Sequence, residues 1–203
     1  MVMENKELAN IRITESKYQS LAIYAIILLC IMYMAAFALG VYTGYENSKV
    51  YHEITSHIYR SLRNSTILKM YNETLNYVLQ GNVSLAVSNI VYLTLHETSY
   101  DFFSALIPII PSYTFYIHGI ISAPVTLENK IILITALPLI LGKVLGYSII
   151  GSVTIIFIID RLFLKKQILL LYLQRLIVGF ILLVFISLDD LLYSMITDLL
   201  YSP

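Results

Sequence analysis

The sequence of 203 residues has no tryptophan, a single cysteine and few charges: thirteen Lys or Arg against thirteen Asp or Glu, 13% in all. Each scarcity excludes something. One cysteine, Cys30, set in an apolar run, excludes a disulfide scaffold and any Cys-ligated zinc or iron-sulfur centre. The charged share is about half of what soluble domains carry, too little to coat a surface facing water. A net charge of zero and a pI near 6.9 leave no basic face, so no nucleic-acid partner is expected. Gly-x-Ser-x-Gly, His-Glu-x-x-His, phosphate-loop and dinucleotide fingerprints are all missing, and neither an enzyme nor a cofactor or metal site is expected. What remains is hydrophobicity, 58% of residues with a mean hydropathy of +0.77. The class is an integral protein of the cell membrane: an all-α, polytopic helical bundle with the lipid bilayer as its first partner.

A helix needs roughly 20 apolar residues to cross a bilayer core of about 30 Å. Residues 20–45 carry no charge and form the first span, after a cytoplasmic tail over 1–19. A cleaved secretory signal is the competing reading, since Ala36-Phe37-Ala38 resembles a cleavage site, but the apolar run is long and its leader is acidic (Glu4, Glu7, Glu15). Further spans are expected over 102–127, 131–159 and 168–192, and an ambiguous one over 76–95, within a single transmembrane domain over 20–203. Basic residues collect in short cytoplasmic loops. With the N-terminus inside, the loop carrying Arg161, Lys165 and Lys166 is also inside only if 76–95 crosses. Five spans with the C-terminus outside satisfy this, and four spans are the alternative.

Residues 46–80, between the first two spans, place Val50, Ile54, Ile58 and Leu62, then Tyr71, Leu75 and Val78, at helical spacing. That pattern predicts an external amphipathic helix or helix pair. Three sequons cluster there, at Asn64, Asn72 and Asn82, and mark the segment as an outside candidate for glycosylation; chance recurrence in a polar loop is the bland alternative.

Lys143 is the sharpest single feature, a cation near the middle of a span that costs several kcal/mol unless it finds a partner or water. Asp189, Asp190 and His118 are the expected partners, and the plain alternative is that such a pair only fixes helix packing. Arg175 reads as an anchor snorkelling to the cytoplasmic face. Gly40/Gly44 and Gly142/Gly146 have small-xxx-small spacing, which suits close packing against another membrane protein or a second copy. Pro108 and Pro111 break one span and Pro138 another. Broken helices in lipid need their freed carbonyls satisfied, and transporters use such breaks as binding sites.

The order of these features resembles the stage II sporulation protein M family of polytopic membrane proteins, in an archaeal-looking form. The resemblance rests on a span followed by a polar external helix, and on a Pro- and Gly-interrupted span over 106–123. It continues through Leu137-Pro138 to the stretch Gly142-Lys143-Val144-Leu145-Gly146-Tyr147-Ser148, and ends on a basic loop and a terminal span closing in acid at Asp190. It implies a non-catalytic membrane scaffold or complex subunit that engages partners through its external helix and its Gly-rich faces. The second reading, from the residues themselves, is a small transporter or channel subunit with a polar pathway around Lys143, His118 and the Pro108/Pro111 break.

Overall fold

A computed structural model describes residues 2–63, 65–125, 127–164 and 169–201. Among them there is no strand. The elements are α1 (Val2–Glu46), α2 (Ser48–Arg63), α3 (Thr66–Leu79), α4 (Val83–Ala105), α5 (Ile109–Ile121), α6 (Leu127–Ile159), a π-helical turn over Asp160–Leu164, and α7 (Leu169–Tyr201). Among the described residues, three helices are long and apolar enough to cross a membrane, over Tyr18–Glu46, Leu133–Leu162 and Tyr172–Leu199. Most of the apolar surface of these spans is outward-facing, with Tyr24, Ile31 and Leu28 each more than 60% exposed on α1. A bilayer covers what a soluble protein would have to bury.

Local chemistry explains the breaks. Asn47 separates α1 from α2 and accepts the Val50 N–H on its side chain. Ser65 caps α3 by accepting the Leu68 N–H at 3.1 Å. Gly81, at φ +71, turns the chain between α3 and α4, with the Asn82 N–H bonded back to the Tyr77 carbonyl at 2.8 Å. The segment over 46–80 thus forms the α2–α3 helix pair. The expected span boundary at 76 falls inside α3 and the one at 102 inside α4, which runs unbroken from Val83 to Ala105.

Pro108 and Pro111 do break the chain: α4 ends before them and α5 starts at Ile109, with Pro111 in its first turn where no intrahelical N–H is needed. Pro138 differs from expectation. It lies inside a continuous α6, which loses one ladder bond there and keeps helix on both sides.

Helix direction follows from close contacts. A Cβ added at Gly40 would collide with the Tyr116 carbonyl, and one at Gly44 would meet Ile120 and Ala123 at 2.7 and 2.8 Å, so α1 and α5 run parallel. α6 and α7 run antiparallel, with Gly142 on Ile186 and Gly146 on Leu183. α4 runs parallel to α6, with Glu97, Asp101 and Ala105 facing Lys143, Tyr147 and Gly151. Hence α4 descends and α5 returns toward the same end of the bundle. Their turn lies deep, where Thr154 Oγ1 donates to the Leu106 carbonyl at 2.9 Å. That is six residues, roughly 9 Å, short of Asp160 at the far end of α6.

The larger core cluster joins Leu29, Tyr33 and Phe37 of α1 to Ala105, Phe115, Val144, Tyr147, Ile150 and Leu183. A smaller one joins Tyr18, Ala22, Val153, Ile156 and Tyr172 at the opposite end from the α2–α3 pair.

Candidate functional site

Lys143 is the midpoint residue of α6, and its ammonium meets two carboxylates: Glu97 of α4 at 2.7 Å and Asp190 of α7 at 3.2 Å. Its side chain is 17% exposed and each carboxylate 39%, so the ion triad is half enclosed and open on its acidic side. One turn farther in, the same step repeats on both helices. Tyr147 of α6 donates its phenol proton to Asp101 Oδ1 of α4, a carboxyl only 6% exposed. Below that, Gly151 lets the Ala105 carbonyl approach, and Thr154 caps the end of α4. α4 therefore lays one polar stripe against α6 and α7: Thr94, Glu97, Thr98, Asp101 and Ser104, at the i, i+3, i+4, i+7 spacing of a single helix face.

Two carboxylates meet one ammonium here, and Asp101, one turn inward on α4, feels the charges of Lys143, Glu97 and Asp190 together. Several oxygens along the seam have no hydrogen-bond partner among the described residues: Asp101 Oδ2, Thr94 Oγ1, Thr98 Oγ1, Ser187 Oγ and the Tyr33 hydroxyl. Each such group costs about 1–3 kcal/mol relative to a satisfied one. A cleft of about 300 Å³ between α3, α4 and α7 leads to this place, walled by Ile67, Tyr71, Leu93, His96 and Tyr100, and Glu97 forms part of its lining.

The expected residues distribute unevenly. Lys143 and Asp190 meet, while Asp189 is exposed, as adjacent helical residues pointing about 100° apart should be. His118 is exposed on α5 and stands within electrostatic reach of Lys143 and Asp190 without bonding either. Pro108 and Pro111 lie at the hairpin tip, about three helical turns inward of Lys143, and do not line the triad. The four glycines expected to receive a partner are already used inside the chain, Gly40 and Gly44 by α5 and Gly142 and Gly146 by α7. Their short side prefers the nearest helix, and here that helix is covalently attached. Asn72 and Asn82 are exposed on α3 and at its end, and Asn64 lies outside the described residues.

Glu97, Asp101, Tyr147, Thr98 and Ser187 were not anticipated. The signal was present in the stripe from Thr94 to Ser104, but polar residues at 96–101 read equally well as a loop between two spans. Asp160 directly follows the expected span over 131–159 and by sequence reads as a loop residue. It is 3% exposed and accepts hydroxyl protons from Tyr18 and, at 2.9 Å, from Tyr172, tying α1, α6 and α7 together at the end opposite α2 and α3. Arg175 lies on α7 one turn from Tyr172, with one guanidinium nitrogen buried and unpartnered among the described residues. At the other end, Tyr71 of α3 donates to Asp198 at 2.7 Å, and burial together with that bond raises its phenol above the usual tyrosine range.

Compared with known protein families, curated proteins and solved structures, the chain matches none of them.

Proposed function

We propose that this is a multi-pass protein of the cell membrane in which the seam along α4, α6 and α7 conducts or exchanges a cation: a small transporter or channel subunit. One observation carries the reading, the meeting of Glu97 and Asp190 on the ammonium of Lys143 at the centre of a membrane span, with the Asp101 carboxyl one turn inward on α4 and within electrostatic reach. An ion pair that only fastened helices would balance its charges, because surplus charge in a low-dielectric interior is costly. A surplus of acid suits a site that a mobile cation or proton enters and leaves.

The topology that accompanies this reading has three crossings, by α1, α6 and α7, with α4 and α5 as a re-entrant hairpin dipping from the outer face. It keeps the basic loop of Arg161, Lys165 and Lys166 beside a cytoplasmic N-terminus and leaves the C-terminus outside. It does so without requiring either arm of the hairpin to cross. At the hairpin tip the freed Leu106 carbonyl is satisfied by Thr154, while the apolar side chains of Ile107 and Ile109 face outward. A scaffold like the stage II sporulation protein M family is the other reading. It is supported by the exposed face of α2, while its Gly-rich faces are occupied within the chain.

Purified protein in liposomes with a trapped pH dye, under imposed sodium, potassium and proton gradients, tests the proposal. Flux above empty liposomes is expected, with Lys143→Met and Asp101→Asn both reducing it at least tenfold at equal reconstitution. Equal rates in protein-containing and empty liposomes under every gradient would remove the transport reading and leave the scaffold.

A further inference from the structure

Beside its polar stripe, α4 carries Leu93, His96, Glu97 and Tyr100, again at the i, i+3, i+4, i+7 spacing of one helix face, and all four line the cleft of about 300 Å³. Glu97 belongs to both rows. Its Oε1 accepts from Lys143 at 2.7 Å, and its side chain, 39% exposed, also lines the cleft. α3 supplies Ile67 and Tyr71, one turn apart, and α7 supplies Leu191, the chain neighbour of Asp190. The Tyr71 hydroxyl is held by Asp198 of α7 at 2.7 Å, which ties that ring in place as part of the wall. Three of the lining residues are thus aromatic, Tyr71, His96 and Tyr100; one is a carboxylate, and neither lysine nor arginine is among them.

Small-molecule sites occupy about 300–1,000 Å³ and combine apolar walls, which hold a ligand's body, with a few polar groups that orient its head. This cleft has that make-up at the lower end of the range. A lipid chain is a poor occupant, because the exposed part of the Glu97 carboxylate would lose its water against hydrocarbon and gain no partner. The charges favour a cation. Glu97 and Asp190 against Lys143 leave the triad with one negative charge in excess, and a single positive charge beside Glu97 balances it. Aromatic faces attract an organic cation, whereas a hydrated metal ion gains nothing from apolar walls. We propose that the cleft binds a monovalent organic ammonium ion with a compact apolar body, its ammonium against Glu97, its body among Ile67, Leu93 and Leu191, and aromatic surface supplied by Tyr71 and Tyr100. This deepens the ion-path reading by naming the class of cation, and rests on that reading only for the transport of the bound ion.

Equilibrium binding of radioactive phenethylammonium to the full chain in detergent, with 2-phenylethanol as a neutral competitor of the same shape, tests the site. Saturable binding is expected, with the alcohol displacing the label at least tenfold more weakly than unlabelled phenethylammonium does. Glu97→Gln, which keeps an acceptor for Lys143, is expected to weaken binding at least tenfold. Tyr100→Leu, at a residue 64% exposed where the exchange leaves the fold intact, is expected to weaken it roughly 3- to 30-fold. Absence of saturable binding by wild type, or unchanged binding in Tyr100→Leu and Glu97→Gln, overturns the site. Equal displacement by the alcohol also overturns it, since the cleft would then be an apolar slot indifferent to charge. If sodium, potassium or protons cross liposomes and phenethylammonium does not bind, the ion path stands and this site falls. If phenethylammonium binds as described and no cation crosses, itself included, the site stands and the transport reading falls.

Discussion

At the residue scale, Lys143 and Asp101 separate stability from function. Removing one member of a buried ion pair strands its partners, at about 3–5 kcal/mol when they are fully enclosed. Glu97 and Asp190 are each 39% exposed, so they are only half enclosed and the expected cost of Lys143→Met falls to about 2 kcal/mol. Asp101→Asn retains the bond from Tyr147 and removes a charge from an acid-rich site, so its stability should stay within about 1 kcal/mol of wild type. Without tryptophan, the natural probe is Cys30, partly buried with its Sγ donating to Ser148 at 3.2 Å, whose reaction with a fluorogenic maleimide reports thermal unfolding. A midpoint lowered by Asp101→Asn as far as by Lys143→Met would mean that Asp101 is a structural member of the network. Lys143 was legible because a charge in an apolar run is conspicuous, and Asp190 because it closes the last span. Glu97 and Asp101 were not, since a helix face and a polar loop have the same composition and differ only in spacing.

At the scale of elements, the α4–α5 hairpin is held by contact with α1. Gly119 is packed so tightly that an added Cβ would collide with the Phe37 carbonyl, with the Val41 nitrogen only 2.8 Å away; Gly40 meets Gly119 from the other side. Both obstacles are backbone and cannot swing aside. Gly119→Val should therefore pry α5 from α1, costing about 3 kcal/mol or more at the upper end of overpacking. Gly81→Ala, placed in open space but at φ +71, should cost about 1 kcal/mol through backbone strain alone. The same maleimide assay ranks the two, and equal shifts would contradict the packing account. The long apolar runs and the Pro108/Pro111 break were visible in the sequence because they depend on local composition. The direction of α5 was not, because a proline turn announces that a helix ends and says nothing about which way the next one goes.

At the scale of the molecule, the positive-inside rule constrains only the parity of crossings, which is why five spans and three spans with a hairpin satisfy it equally. Depth distinguishes them. In a five-crossing chain the stretch containing Ser99 is a cytoplasmic loop. In the arrangement proposed here it is the middle of α4, two turns above the hairpin tip and exposed on the flank of that helix. Single-cysteine variants on a Cys30→Ser background, probed with a membrane-impermeant maleimide, should label Asn82→Cys from outside and Lys166→Cys only from the cytoplasmic side. Ser99→Cys should never label from the cytoplasmic side. Labelling of Ser99→Cys in inside-out vesicles would restore five crossings. It would also place Glu97 and Asp101 within a few residues of the cytoplasm, where surplus carboxylates are simply solvated and the case for a mobile cation loses its physical basis. The location of one exposed serine thus decides whether the acid-rich seam lies in a low-dielectric interior that requires a counter-ion or at a surface that does not.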